Sequence, residues 1–248
     1  MPSNLTTEQL EQLQSVELVT FDLDDTLWPL ESVLISAEQA QYEWLEENAP
    51  RITKDVSMQD LMSRRYDFLS SRPDLTGDVT AMRKQSLLHL FSSFDYSDAE
   101  SQTMVNDAFD VFYRARSQVT LFDDAPGCLQ TLKSHYKLAA LTNGNADLEI
   151  AGIAHLFDDA RFATLDTPAK PDVAMFHQSA AALDVDPKNM LHVGDNVETD
   201  VGGGQRAGAL TAWYNPEKKP WPDSLPPPTL DIARLNDLLT YLPKVKVS

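Results

Sequence analysis

The chain has 248 residues, 42% hydrophobic and 23% charged, so one large or two small globular domains with an ordinary core are expected. The formal net charge is −18, which disfavours binding to nucleic acid and to anionic membrane surfaces. With no apolar run of membrane-spanning length, no secretory signal over residues 1–14 and a single cysteine, Cys128, the chain is expected in a reducing, cytoplasmic compartment.

The first predicted strand, residues 16–21, leads directly into Asp22, Asp24 and Asp25. Carboxylates at the end of a buried strand repel one another and are costly to desolvate. A divalent cation among them would offset both costs, and magnesium prefers such oxygen ligands. The spacing of Asp22 and Asp24 also allows one carboxylate to attack while the other transfers protons.

Hydrophobic residues recur at helical spacing throughout residues 30–116. Four amphipathic stripes are present, with Ser57 as a predicted N-cap and Ser97 with Glu100 as a predicted capping box. We therefore expect an all-helical domain over residues 29–119, inserted into a core domain formed by residues 1–28 and 120–248.

From Asp123 onward, helices and strands alternate. A proline-rich loop is predicted over residues 217–228. Alternation with short links predicts a parallel sheet, and hence an α/β, Rossmann-like core. The predicted strands are 137–142, 161–164, 190–194, 209–214 and 229–232, and the predicted helices begin at Pro126 and cover 147–155, 172–183, 200–207 and 235–242.

Polar residues of distinct types stand at the ends of these predicted strands or at helix starts. Because reactive groups gather beyond the carboxyl ends of parallel strands, they are expected to converge. Together they supply a nucleophile, a proton carrier, a cation site and donors for phosphoryl oxygens, the parts of metal-assisted phosphoryl transfer. The set comprises Asp22, Asp24, Thr142, Asn143, Gly144, Lys170, Asp195 and Asp200.

The same segments resemble, in order, the four motifs of the haloacid dehalogenase superfamily. The segments are Asp22–Thr26, Leu141–Gly144, Lys170–Pro171 and Gly194–Asp200. The predicted helical domain resembles the cap that one branch of that superfamily carries after its first motif. Residues 142–145 and 195–208 also resemble the branch that includes bacterial flavin mononucleotide phosphatases.

The resemblance implies catalytic and metal-binding roles for four aspartates. Asp22 would be the nucleophile and a magnesium ligand. Asp24 would be the general acid and base, with its main-chain carbonyl on the metal. Asp195 would bind the metal directly, and Asp200 would act from the second shell.

The resemblance also implies how the phosphoryl group is held. Thr142 and backbone amides near Asn143 and Gly144 would bind its oxygens. Lys170 would neutralise charge on the nucleophile and on the phosphate.

The predicted function is a magnesium-dependent phosphatase that hydrolyses a small phosphomonoester, such as FMN, a nucleotide or a sugar phosphate, through an aspartyl-phosphate. Asp24 favours ester hydrolysis over halide displacement, which needs no second acid. A sugar phosphomutase and a non-catalytic binding protein stay open as alternatives. The sequence sets neither the substrate nor the oligomeric state.

Residues outside the motifs have less specific interpretations. Core packing is the favoured role of the aromatic rings, although they could stack on a flat substrate, and a solvated helix face is the favoured role of the basic residues. Gly202–Gly204 is expected to allow close helix–sheet packing, and Cys128 is expected to be buried. The aromatic residues are Trp28, Tyr42, Trp44 and Tyr66, and the basic ones are Arg64, Arg65, Arg72, Arg83 and Lys84.

Overall fold

A computed structural model describes residues 5–222 and 225–243. Residues 223–224 of the predicted proline-rich loop and both ends of the predicted core domain lie outside the described residues. In the part of the chain that is described, no helix is long and apolar enough to cross a membrane.

Among the described residues, six parallel strands form one sheet, in the order β3-β2-β1-β4-β5-β6. This is the strand order of the doubly wound Rossmann fold, whose ligands bind where the order reverses, here between β1 and β4. The strands are β1 Leu18–Phe21, β2 Lys137–Thr142, β3 Asp159–Phe162, β4 Met190–Gly194, β5 Leu210–Tyr214 and β6 Leu230–Ile232.

The described helices fall into two groups. The helices are α1 Thr7–Gln14, α2 Leu30–Asn48, α3 Pro50–Thr53, α4 Met58–Ser70, α5 Val79–Ser92, α6 Asp98–Ser117, α7 Ala125–Lys133, α8 Ala174–Ala182, α9 Gly203–Arg206 and α10 Leu238–Tyr241. The helices α2 to α6 follow β1 in the chain and make up the helical insertion, residues 30–117; the others, including α7 just before β2, accompany the sheet.

The sheet is buried on both faces, as expected for parallel strands. In β1, Val19 and Phe21 pack into a core with residues of α7 and α10, whereas Leu18 packs on the opposite face with residues of α8. The helical insertion has a separate apolar core around Leu45, Leu87 and Phe91. The chain therefore has two apolar layers around the sheet and a third inside the insertion.

Local capping agrees with the sequence analysis at two helix starts. Ser57 accepts from the Asp60 backbone N–H at the start of α4, and Ser97 with Glu100 forms the predicted capping box of α6. The polar segment that precedes β1 forms the unpredicted helix α1, which begins with a capping box at Thr6 and Gln9.

The predicted helix 147–155 is wrong. The Asp147 carboxylate accepts hydrogen bonds from the backbone N–H groups of Glu149 and Ile150, which makes a local turn. Gly152 then has φ +76°, which ends any helical path. Only a short 3₁₀ turn, Ala154–Leu156, follows, and β3 lies two residues before its predicted bounds.

Gly203 and Gly204 allow close packing of α9, as predicted. A Cβ on Gly203 would lie 3.2 Å from Pro171 Cα, and one on Gly204 would lie 2.8 Å from Thr211 Cγ2. Cys128 is fully buried, and burial raises its thiol pKa to about 12. Neither feature is part of the site described below.

Candidate active site

The ends of β1 and β4 bring acidic side chains together. The Asp22 backbone N–H donates to the Val193 carbonyl at 2.8 Å, which extends the β1–β4 pairing and fixes Asp22 at the strand end. Carboxylate oxygens of Asp22, Asp195 and Asp200 lie within 4.8 Å of one another. The fold thus places segments more than 170 residues apart at one point.

Lys170 ties this acidic group to β2. Its Nζ donates to Asp22 Oδ1 at 2.7 Å, to Asp200 Oδ1 at 2.6 Å and to the Leu141 carbonyl at 2.7 Å. The Asn143 side chain pairs with the Lys170 backbone, donating to its carbonyl at 2.8 Å and accepting from its N–H at 2.7 Å. The Asn143 side chain thus positions Lys170.

Burial leaves two of these carboxylates short of compensating charge. It raises the pKa of Asp22 to about 8, with Asp200 and Asp195 adding repulsion that Lys170 only partly offsets. It also raises the pKa of Asp195 to about 6, again with repulsion from Asp200 and Asp25. A divalent cation would supply the missing charge, so the donor set fits a hard metal ion.

Asp200 is bound on both of its oxygens. Oδ1 accepts from Lys170 and from His192 Nε2 at 3.3 Å, and Oδ2 accepts from the Asn196 backbone N–H at 2.9 Å. His192 Nδ1 in turn pairs with Thr20 Oγ1 at 2.8 Å. Burial opposes ionisation of Asp200, but Lys170 and His192 outweigh it and hold its pKa below the usual range. With its oxygens occupied, Asp200 is suited to orient Lys170 rather than to bind a metal.

Thr26 links the loop after β1, which follows Asp22, to the loop after β4, which begins with Asp195. Its Oγ1 accepts from the Asp195 backbone N–H at 3.1 Å and lies 3.5 Å from Asp22 Oδ2 and 3.4 Å from Asp195 Oδ1. The side chain is fully buried. Thr26 therefore fixes the distance between the strand ends that carry the candidate metal ligands.

Asp24 faces other partners. Trp28 Nε1 donates to Asp24 Oδ1 at 2.8 Å, and Arg116 Nη2, from the last turn of α6, donates to Oδ2 at 2.5 Å. Trp28 is fully buried, so its ring packs in the core, the favoured prediction, while its N–H orients Asp24. The Asp24 carboxylate is thus held between the core and the helical insertion.

Thr142 and Gly144 form a tight turn at the end of β2. Thr142 is buried, and its Oγ1 accepts from the Gly144 backbone N–H at 2.9 Å. A Cβ on Gly144 would lie 2.5 Å from Asp24 Oδ2 and 2.8 Å from Arg116 Nη2, so any larger residue would displace these side chains. The turn places β2 beside Asp24, although the Gly144 N–H already has a partner.

A cavity of about 480 Å³ contains all eight predicted site residues and lies between the strand ends and the helical insertion. Its insertion side is mainly aliphatic. Tyr42 and Trp44 pack in the insertion core, and Tyr66 is 74% exposed. The insertion side of the cavity is lined by Leu30, Leu34, Leu69, Val79, Met82, Phe112, Arg65, Arg83 and Arg116.

Two of the five basic residues singled out in the sequence meet a buried acid at this cavity. Arg65 donates to both oxygens of Glu38 at 2.6 and 2.9 Å, and Arg83 donates to Glu38 Oε1 at 2.7 Å. The Arg83 guanidinium also lies 3.3 Å from the Phe112 ring centroid. Burial opposes ionisation of Glu38, but the two arginines outweigh it and lower its pKa to about 2.

A family model for haloacid dehalogenase-like hydrolases matches residues 16–208. This chain belongs to that family. The hydrolase is 30% identical over 234 residues to the 5-amino-6-(5-phospho-D-ribitylamino)uracil phosphatase YigB of Escherichia coli, covering 93% of this chain and 98% of that protein. The superfamily prediction and the fold prediction are confirmed.

Solved structures agree with the family assignment. A 2-haloacid dehalogenase from Pseudomonas syringae superposes on the hydrolase with a TM-score of 0.85 and 35% identity, covering 92% of this chain and 98% of that one. A HAD phosphatase from Thermococcus onnurineus gives a TM-score of 0.64 at 20% identity, covering 94% and 100%. The second likeness concerns the fold alone.

Several site residues of the hydrolase escaped the sequence analysis. Thr26 ends the first motif and Trp28 follows it two residues later, but their partners depend on how the turn after β1 closes. His192 lies within a predicted strand and had no metal-ligand spacing. Arg116 had no signal that separates it from the exposed Arg114 in the same turn.

Proposed function

We propose that this hydrolase is a magnesium-dependent phosphatase that acts on a small phosphomonoester through an aspartyl-phosphate. The convergence of Asp22, Lys170 and Asp195 beside a second carboxyl group, Asp24, carries the proposal. Hydrolysis of a phosphate ester needs a nucleophile and a proton donor for the departing alkoxide, and the two acids of the first motif provide them.

In the first step, a carboxylate oxygen of Asp22 attacks phosphorus and the ester P–O bond breaks. Asp24 gives its proton to the departing oxygen, which leaves as an alcohol. Lys170, 2.7 Å from Asp22 Oδ1, orients the nucleophile and offsets negative charge as the phosphoryl group approaches. Thr142 and the backbone amide at Asn143 would hold the other phosphoryl oxygens, and the Gly144 amide, which donates to Thr142 Oγ1, would fix that hydroxyl.

In the second step, Asp24 removes a proton from water, whose oxygen attacks phosphorus. The bond between phosphorus and the Asp22 oxygen breaks, which releases inorganic phosphate and restores the carboxylate. Asp24 thus regains the proton that it gave up, and both acids return to their starting states. The same residue serves as acid and then as base because its carboxyl stays beside the reacting group.

Asp22, the Asp24 main-chain carbonyl and Asp195 would hold Mg²⁺, with Asp200 in the second shell. The ion supplies charge neutralisation between the nucleophile and the substrate phosphate when it is bound. Support comes from the raised pKa values of Asp22 and Asp195, which identify carboxylates with too little positive charge around them.

The helical insertion would act as a cap over the core formed by residues 1–28 and 120–248. Cap closure would exclude bulk water from the cavity. Its aliphatic lining suits the carbon skeleton of a small metabolite, and FMN, nucleotides and sugar phosphates are the candidate substrates. The phosphoribityl-uracil compound named for the E. coli relative belongs on the same list, and a cytoplasmic location fits all of them.

Dehalogenation is a second candidate, because the Pseudomonas structure is named as a 2-haloacid dehalogenase. Halide departs without a proton, so that reaction gives Asp24 no task. A sugar phosphomutase would use the same residues and would differ in returning the phosphoryl group to a sugar instead of to water. Release of chloride from 2-chloropropionate would favour dehalogenation. Recovery of a bisphosphorylated sugar would favour the phosphomutase.

The deciding experiment follows phosphate release from p-nitrophenyl phosphate and from a panel of phosphorylated flavins, nucleotides and sugars. Wild-type activity should require Mg²⁺ and disappear with a chelator. Asp22→Asn should lower kcat by about 1,000-fold or more because the nucleophile is lost. Turnover that survives the chelator or the Asp22→Asn substitution would refute the proposal.

A further inference from the structure

Arg116 belongs to the helical insertion but reaches the catalytic edge of the core. It is 3% exposed, and its Nη2 donates to Asp24 Oδ2 at 2.5 Å. The other terminal nitrogen, Nη1, is buried and has no hydrogen-bond partner among the described residues. One half of the guanidinium is therefore paired and the other half is not.

The space around Gly144 accommodates this arrangement. A Cβ on Gly144 would lie 2.8 Å from Arg116 Nη2, 2.5 Å from Asp24 Oδ2 and 3.2 Å from Thr142 Oγ1. The guanidinium thus lies against the turn at the end of β2, close to both Asp24 and Thr142. This position is inside the cavity that contains Asp22 and Lys170.

The other cations that line the cavity have carboxylate partners, as Arg116 does, but among the described residues none of them has a buried nitrogen without an acceptor. Lys170 is shared by Asp22 and Asp200, and Arg65 and Arg83 share Glu38. A buried N–H without an acceptor is unfavourable, whereas the planar fork of an arginine can bind two oxygens at once. An oxygen of a ligand in the cavity would complete the Arg116 fork.

We propose that Arg116 is a substrate-binding residue of this site, in which Nη2 orients the Asp24 carboxyl and Nη1 donates to an oxygen of the phosphomonoester. The inference rests on the proposed phosphatase activity. It also gives the insertion a direct part in the chemistry, since one side chain of α6 contacts both the general acid and the substrate.

The test compares Arg116→Ala and Arg116→Lys with Arg114→Ala, an exposed arginine in the same last turn of α6. With p-nitrophenyl phosphate and saturating Mg²⁺, Arg116→Ala should lower kcat about 100-fold because the proton donor is no longer oriented. Its KM should rise about tenfold because one charge-assisted hydrogen bond is lost. Arg114→Ala should match the wild type.

Two further measurements separate a direct role from loss of structure. Guanidinium ion should restore part of the kcat of Arg116→Ala and leave Arg114→Ala unchanged. Arg116→Lys keeps the charge but lacks the fork, so it should recover part of kcat while KM stays high. Should Arg116→Ala fail to fold, the Arg116→Lys result decides.

Calorimetric titration with inorganic phosphate in the presence of Mg²⁺ needs no turnover. Wild type should bind phosphate about tenfold more tightly than Arg116→Ala or Arg116→Lys. Equal phosphate affinity in wild type and both variants would overturn the inference, even if the wild type proved active. An inactive wild type would refute the phosphatase proposal instead, and phosphate binding would still decide the role of Arg116.

Discussion

Gly144 determines how closely three groups of the site approach one another. The Asp24 carboxylate, the Arg116 guanidinium and the Thr142 hydroxyl all lie within 3.2 Å of the place where a side chain would begin. Its φ is not in the left-handed region, so the requirement for glycine comes from space and not from backbone conformation. The sequence predicts a role for the Gly144 backbone N–H, whereas the structure shows that the absence of a side chain is the stricter requirement at this position.

We therefore expect Gly144→Ala to impair catalysis. The added Cβ would displace the Asp24 carboxylate, whose Oδ2 it would approach to 2.5 Å, and misplaced proton transfer should lower kcat by about 100-fold. Steady-state kinetics with p-nitrophenyl phosphate measures the change. Gly127→Ala is a matched control, because a Cβ there meets nothing within 4 Å in α7.

Gly127→Ala should keep the wild-type kcat and gain about 0.5–1 kcal/mol in unfolding free energy, since alanine favours a helix. A Gly144→Ala enzyme with wild-type kcat would show that the Asp24–Arg116 pair can move without loss of function.

At the scale of the elements, the strands that carry the site were the best predicted. The bounds of β2 and β4 agree with those predicted, because both are short, largely apolar runs followed by turn-forming residues. The helix predicted over residues 147–155 failed because the Asp147 side chain competes for backbone N–H groups. The spacing of hydrophobic residues carries no information about whether a side chain competes for backbone N–H groups.

The convergence of Asp22, Lys170 and Asp195 could be predicted because strand ends of a parallel sheet share an edge. Arg116 could not be predicted in this way. Its contact with Asp24 depends on how α6 docks against the core, a tertiary arrangement that no local pattern of α6 specifies. The same is true of Glu38, which is 6% exposed and whose partners Arg65 and Arg83 come from two other helices.

Glu38 ties three helices of the insertion, and we expect its stabilising effect to depend on pH. Its pKa is about 2 when folded and near 4.5 when unfolded, because Arg65 and Arg83 outweigh the cost of burial. A depressed carboxylate pKa stabilises the fold above the unfolded value, and this stabilisation is lost as pH falls from about 4.5 through about 2. It is worth about 3 kcal/mol at pH 7.

Urea unfolding of wild type and Glu38→Gln between pH 3 and 7 tests this. The variant should be less stable by about 3 kcal/mol at pH 7, and the difference should narrow below pH 4.5. Glu47→Gln, at an exposed position of the same helix, should differ from wild type by less than about 0.5 kcal/mol. A pH-independent difference between Glu38→Gln and wild type would contradict the ion-pair account.

For the whole molecule, the doubly wound topology concentrates negative charge at one edge of a chain that already carries −18. Adjacent strands β1 and β4 must each present an acid there, and Lys170 neutralises only part of that charge. The fold therefore retains a local electrostatic cost that a bound cation would remove. Metal binding should for this reason be coupled to proton release and to global stability.

Without metal, the folded-state pKa values of Asp22 and Asp195 are about 8 and about 6, both raised from 3.8 by burial first of all. The folded protein then binds more protons than the unfolded chain between about pH 4 and 8, so metal-free stability falls as pH rises through that window. Mg²⁺ requires the deprotonated carboxylates, so its apparent affinity should increase from pH 6 to 8, by up to about tenfold per pH unit for each proton displaced.

Thermal unfolding at pH 6, 7 and 8, with Mg²⁺ and with a chelator, measures this coupling without any substrate. The rise in Tm that Mg²⁺ causes should grow with pH. At higher pH a larger fraction of the folded protein has the Asp22 and Asp195 carboxylates deprotonated and able to bind the ion, and binding to the folded state stabilises it by mass action. Asp195→Asn should abolish most of that rise, whereas Asp166→Asn, at an exposed position, should preserve it. A Tm increment that is the same at all three pH values would mean that Mg²⁺ does not displace protons from Asp22 and Asp195, and the metal would then have to bind elsewhere.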